Sequence, residues 1–132
     1  MLIFEDIIAP TLSRDLFFHF KIITGDGTFT DVTRFVNLGP SLYGNGAGWV
    51  DVDSDGDLDL FVSTVGDMRH YLYINNNGRF TEEAVERGIS LKSTRKLAGF
   101  TPVFGDFDRD GYLDIFTTEW IMNSQAGSKV CR

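Results

Sequence analysis

Five aspartates stand at alternate positions of one nine-residue stretch, Asp51, Asp53, Asp55, Asp57 and Asp59, inside the run VDVDSDGDLDLFVSTV. A second run, GDFDRDGYLDIFTTEW, repeats the arrangement with Asp106, Asp108, Asp110 and Asp114. Like charges held this close repel, and a bound cation offsets that repulsion. Ca²⁺ is a hard ion that takes six to eight oxygens at about 2.3 to 2.6 Å. The pattern D-x-D-x-D-G-x-x-D can aim carboxylates from alternate residues of a tight loop at one point. Its glycine, Gly56 or Gly111, permits the sharp turn that brings the last carboxylate round. The candidate ligands are Asp51, Asp53, Asp55 and Asp59 for one ion, and Asp106, Asp108, Asp110 and Asp114 for a second. The Asp57 side chain alternates away from the cluster and is expected to face solvent. Two such ions would take the formal charge from −7 to −3.

An EF-hand opens in the same way, but it needs a Glu at position 12 and a helix on either side. Position 12 is Val62 in one copy and Thr117 in the other. The flanks LDLFVSTV and LDIFTTEW are rich in β-branched and aromatic residues, which favour strands. A nine-residue loop between two strands is the reading that remains.

The acidity of the chain is local. The two loops hold nine of its 19 acidic residues, and the other ten face twelve bases. No basic stripe exists, which argues against a nucleic-acid partner. Cys131 is the single cysteine, so no disulfide can form within the chain. The opening MLIFEDIIAPTLSRD lacks a basic n-region and carries Glu5 and Asp6 in its apolar part, a poor secretory signal. No run approaches the roughly 18 apolar residues of a membrane span.

The elements that must position the loops follow from self-comparison. GWVDVDSDGDLDLFVST aligns with VFGDFDRDGYLDIFTTE at an offset of 55, and HFKIITGDGTFTDVT with HYLYINNNGRFTEEA at an offset of 51. The chain therefore reads as half a unit, a whole unit, and another half. Each unit predicts four short strands: 49–51 before the loop, 58–65 after it, 70–74, and 80–84. Asn75-Asn76-Asn77-Gly78 is a hairpin signal between the last two, since Asn-Gly tolerates positive φ. A four-stranded unit with a period near 50 residues points to a propeller blade. The expected fold class is all-β: a partial β-propeller of about two blade-equivalents of four-stranded antiparallel sheet, not a closed ring. The expected organisation is an N-terminal segment (1–15), the outer half of a first blade (16–44), a complete blade (45–97), the inner half of a third (98–120) and a truncated tail (121–132). Self-association through open blade edges is expected.

These loops, with Trp49-Val50-Asp51 and Phe104-Gly105-Asp106 before them and the Leu-Asp-Leu/Ile-Phe exits after them, resemble the FG-GAP/VCBS repeats of integrin-α-type β-propellers. The likeness covers about residues 16 to 120; Val50 departs from the glycine that the family favours. The resemblance implies that loop residues one, three, five and nine give side-chain oxygens and residue seven a backbone carbonyl. Those carbonyls are Asp57 and Tyr112. It also implies an extracellular or secreted protein whose parent propeller binds a protein or carbohydrate ligand, with structural Ca²⁺. The alternative is the non-catalytic propeller portion of a polysaccharide-degrading or other secreted enzyme.

Other residue types give no catalytic signal. GDGTF lacks the Lys-Ser/Thr and the helix of a phosphate loop, and no G-x-S-x-G or H-E-x-x-H occurs. The expectation is a binding module and not an enzyme. His19 and His70 hold equivalent repeat positions that would not converge, so both are read as strand residues. Trp49, Phe61, Phe104 and Phe116 are read as packing between blades.

Overall fold

The computed structural model describes residues 21–23, 26–38, 44–66, 69–91 and 97–121. Segments 1–15 and 122–132 of the expected organisation, and His19, lie outside them. Among the described residues ten strands run in chain order: β1 (Lys21–Ile23), β2 (Phe29–Asp31), β3 (Gly44–Val50), β4 (Asp59–Gly66), β5 (Tyr71–Asn76), β6 (Arg79–Glu82), β7 (Leu97–Gly99), β8 (Val103–Gly105), β9 (Asp114–Phe116) and β10 (Glu119–Ile121). Every pairing is antiparallel. Among the described residues there is no helix. The protein is all-β and forms a partial propeller, not a closed ring.

Strands β3 to β6 make the complete four-stranded unit, each paired with the next. Side chains alternate across a strand, and here both faces are covered. Leu60, Val62, Tyr73 and Phe80 join Val36 in one core cluster, with Val32, Leu38 and Trp49 packed against it. Phe61, Leu72, Ile74 and Ala84 form a second cluster, against which Phe104 and Ile115 pack. Burial on both faces explains why β4 and β5 read as continuous apolar runs. The expected Asn-Gly hairpin is present: Asn77 (φ 54°) and Gly78 (φ 84°) form its two-residue turn.

The offset of 55 holds residue by residue in the third unit. Val50 faces Asp59 and Gly48 faces Phe61; correspondingly Gly105 faces Asp114 and Val103 faces Phe116. Gly44 faces Thr64 just as Gly99 faces Glu119. This second hairpin is split into β7–β10 and β8–β9 because Pro102, standing where Ala47 stands in the first, has no N–H for the ladder. The units are not separate sheets, since β7 also pairs with the end of β4 through Val65–Ala98 and Gly66–Leu97. Close approach between units explains two glycines in β3. A Cβ on Gly46 would lie 2.7 Å from the Phe100 carbonyl carbon, and one on Gly48 would lie 2.6 Å from the Phe104 ring. The outer hairpin β1–β2 departs from its counterpart. Phe29 faces Ile23, whereas Phe80 faces Asn75, so an offset of 51 misplaces the first strand by one residue.

His70 immediately precedes β5 and joins the units. It is buried, its Nδ1 accepts the Thr64 N–H at 3.3 Å, and its Nε2 lies 2.8 Å from Glu119 Oε1 on β10. Burial pushes the imidazole below its ordinary value, and Glu119 pulls it back only in part. A lowered histidine contributes stability that is present above the unfolded value, about 6.5, and is lost as pH falls below it. With chelator present, unfolding free energy should decline from about pH 7 to pH 5.5, with a slope of at most about 1.4 kcal/mol per pH unit. His70→Asn keeps an acceptor for the Thr64 N–H and should flatten that slope; an unchanged slope would show that another group carries it. Glu82 acts in a separate, lower window. Burial would raise its carboxyl, but the Arg69 guanidinium (Nη1 3.0 Å from Oε1) and the Ala84 N–H hold it below the ordinary range.

Candidate metal centre

Each acidic loop is shaped first by its own backbone. Asp51 accepts the N–H of Asp55 at 3.2 Å and of Gly56 at 3.1 Å; Asp106 accepts those of Asp110 and Gly111, both at 3.0 Å. Two left-handed residues make the turn in each, Ser54 (φ 61°) with Gly56 (φ 93°), and Arg109 (φ 65°) with Gly111 (φ 92°). The ninth residue closes the loop on its second: Val52 N–H donates to Asp59 Oδ2, and Phe107 N–H to Asp114 Oδ2, each at 2.9 Å. Two loops 55 residues apart thus fold with one hydrogen-bond plan.

That plan gathers carboxylates. One oxygen from each of Asp51, Asp53 and Asp59 lies within 4.8 Å of the others, and Asp106, Asp108 and Asp114 do the same. Two oxygens each about 2.4 Å from a single Ca²⁺ stand at most about 4.8 Å apart, so the spacing within each group meets that limit for one shared ion. An all-oxygen, anionic donor set suits a hard divalent cation.

The remaining predicted residues do not join these groups through their side chains. Asp55 Oδ1 accepts the Asp57 N–H at 2.8 Å, and Asp110 Oδ1 accepts the Tyr112 N–H at 2.9 Å, capping the turn. Asp57 is half-exposed; its Oδ2 accepts the Asn77 N–H at 2.8 Å in an exposed contact with the β5–β6 turn. Tyr112 presents an exposed ring.

Support from outside the loops is unequal. Asp59 is fully buried, and its Oδ1 also accepts the Asn75 N–H at 2.8 Å. Asn75 in turn donates from Nδ2 to the Leu58 carbonyl at 3.0 Å and accepts the Gly78 N–H at 2.8 Å. Burial pushes the Asp59 carboxyl up, the Asn75 and Val52 N–H groups lower it, and the Asp53 and Asp55 charges raise it again. Asp114, its counterpart, is exposed. Arg87, in the chain after β6, places Nη2 3.7 Å from Asp53 Oδ2 while its Nε donates to Glu83 at 2.9 Å. Asn75, Asn77 and Arg87 are supports that the sequence did not disclose; the Asn run signalled only a turn.

Residues 51–117 match the model of the FG-GAP-like repeat. The chain is also similar to cartilage acidic protein 1 of Xenopus tropicalis, 31% identical over 96 residues that cover 70% of this chain and 14% of that protein. It is 30% identical over 112 residues to cartilage acidic protein 1 of Homo sapiens, covering 82% of this chain and 16% of that one. The chain therefore spans under a fifth of the length of these relatives. No helix among the described residues is long and apolar enough to cross a membrane.

Proposed function

Because the chain belongs to the FG-GAP-like repeat family, we propose that it is a Ca²⁺-stapled binding module of propeller type, serving extracellular adhesion or recognition of a protein or carbohydrate. The observation that carries this reading is the doubled cluster, in which three carboxylate oxygens converge within 4.8 Å in each of two loops of one design. The ions are structural in this reading. Each would tie the strand entering a loop, β3 or β8, to the strand leaving it, β4 or β9, where five or four carboxylates otherwise repel. Similarity to proteins named for cartilage and for acidity supports the extracellular part.

Calorimetric titration with CaCl₂ should give a stoichiometry near two per chain. Asp53→Ala and Asp108→Ala each remove one exposed carboxylate of a cluster, and each should lower the stoichiometry by one; the double variant should bind none. The first loop should bind more tightly, because Asn75 and Asn77 hold its Asp59 and Asp57 in place before the ion arrives. At an ion concentration about 100-fold above its Kd, each bound ion should add about 2.7 kcal/mol to stability. A stoichiometry unaffected by the double substitution, or melting indifferent to chelator, would make the loops charged turns and sink the proposal.

A further inference from the structure

A cation stands against the first acidic loop, and it is held there from outside the loop. The Arg87 Nη2 lies 3.7 Å from Asp53 Oδ2. Among the described residues no other cation pairs with a carboxylate of either loop. The position of Arg87 is fixed by the chain after β6. The Glu83 N–H donates to the Leu72 carbonyl at 2.8 Å, and the Arg87 N–H to the Glu83 carbonyl at 2.9 Å. Gly88, with a φ of 75°, turns the chain, and the Ile89 N–H closes the turn on the carbonyl of fully buried Ala84 at 2.9 Å. The guanidinium is aimed by the same segment, since its Nε donates to Glu83 Oε2 at 2.9 Å. The loop supplies none of these anchors.

An exposed ion pair of this kind contributes little to folding. Its effect on a divalent ion is another matter. While the loop is free of cation, the guanidinium partly offsets the charge of five crowded carboxylates. Once Asp53 holds a cation, two positive charges stand within a Debye length of each other, about 10 Å at 0.1 M salt, and the repulsion scales with the product of their charges. The free state is favoured and the bound state opposed, so both terms act in the same direction. We infer that Arg87 is a resident counter-cation that sets the Ca²⁺ affinity of the first loop by holding it down; the inference rests on the calcium reading of the loops. Asn75 and Asn77 favour binding there, and Arg87 takes back part of that gain.

Calorimetric titration of the full chain with CaCl₂ tests this in the Asp108→Ala background, which leaves the first loop as the binding site. At about 10 mM ionic strength Arg87→Gln should bind calcium about fivefold tighter than the background alone, and the ratio should fall toward one at about 1 M. Arg87→Lys keeps the charge and should stay within about twofold of arginine. Arg34→Gln makes the same change in net charge, but Arg34 pairs with no loop carboxylate among the described residues. It should gain less than about twofold. A residue that merely positioned Asp53 would give the opposite sign, weaker binding on its loss. Equal or weaker binding by Arg87→Gln, a gain that persists at high salt, or the same gain from Arg34→Gln would overturn the inference and leave calcium binding standing. No calcium binding by the background, with or without Arg87, would overturn the calcium reading and this inference with it.

Discussion

Asp59→Ala is expected to destabilise the protein by about 3 to 5 kcal/mol, while Asp114→Ala, at the same position of the second loop, costs about 1 kcal/mol or less without calcium. Asp59 is fully buried and accepts two backbone N–H groups, from Val52 and Asn75, one on each oxygen. A buried donor left without its partner costs about 1 to 3 kcal/mol, and hydrogen bonds to a charged group lie at the upper end. Burial of the charge, and after it repulsion from Asp53 and Asp55, acts the other way and raises the carboxyl, but removing the side chain leaves both N–H groups without their acceptor whatever its protonation state. Loss should therefore win. Asp114 is exposed and accepts the Phe107 N–H, a bond that water can replace. Urea unfolding of both variants with chelator gives the comparison directly. In calcium the Asp114→Ala loss should grow, since the ion's contribution at that loop disappears. Equal losses without calcium would show that burial of Asp59 contributes nothing.

Phe61→Ala should be the other large effect, about 3 to 5 kcal/mol for emptying an aromatic site in a packed core. Phe61 is 1% exposed and sits where Leu72, Ile74 and Ala84 meet Phe104 and Ile115 of the next unit. Phe116→Ala, its repeat equivalent, should fall within about 0.5 kcal/mol for the dilute single chain, as surface substitutions do. Thermal unfolding at low protein concentration checks the pair. A large loss for Phe116→Ala under those conditions would mean that its ring is buried in solution.

This contrast shows where sequence reasoning stops. Phe61 and Phe116 share a motif position, a neighbouring aspartate loop and a strand register, and nothing local tells them apart. What differs is whether a β5 lies alongside, and that is a fact about residues more than ten positions away. The same holds for Asp59 and Asp114. His70 was legible only as a strand residue; its burial just before β5 and its contact with Glu119 depend on how the third hairpin lies against the second unit.

The sequence by itself determined both acidic loops, their offset of 55, the positions of β4, β5 and β6 to within two residues, and the Asn-Gly turn, while β3 begins five residues before the expected 49–51. These are written in local spacing: alternate carboxylates, a glycine at the left-handed position, side chains alternating across a strand. Tertiary structure alone decided that the Asp57 side chain meets the Asn77 N–H, that Asp59 is sealed by Asn75, and that β7 pairs with the end of β4. It also decided that the β1–β2 register differs by one residue from its counterpart. Burial and pairing are sums over partners distant along the chain, so two identical motifs acquire different energies from what the fold sets beside them.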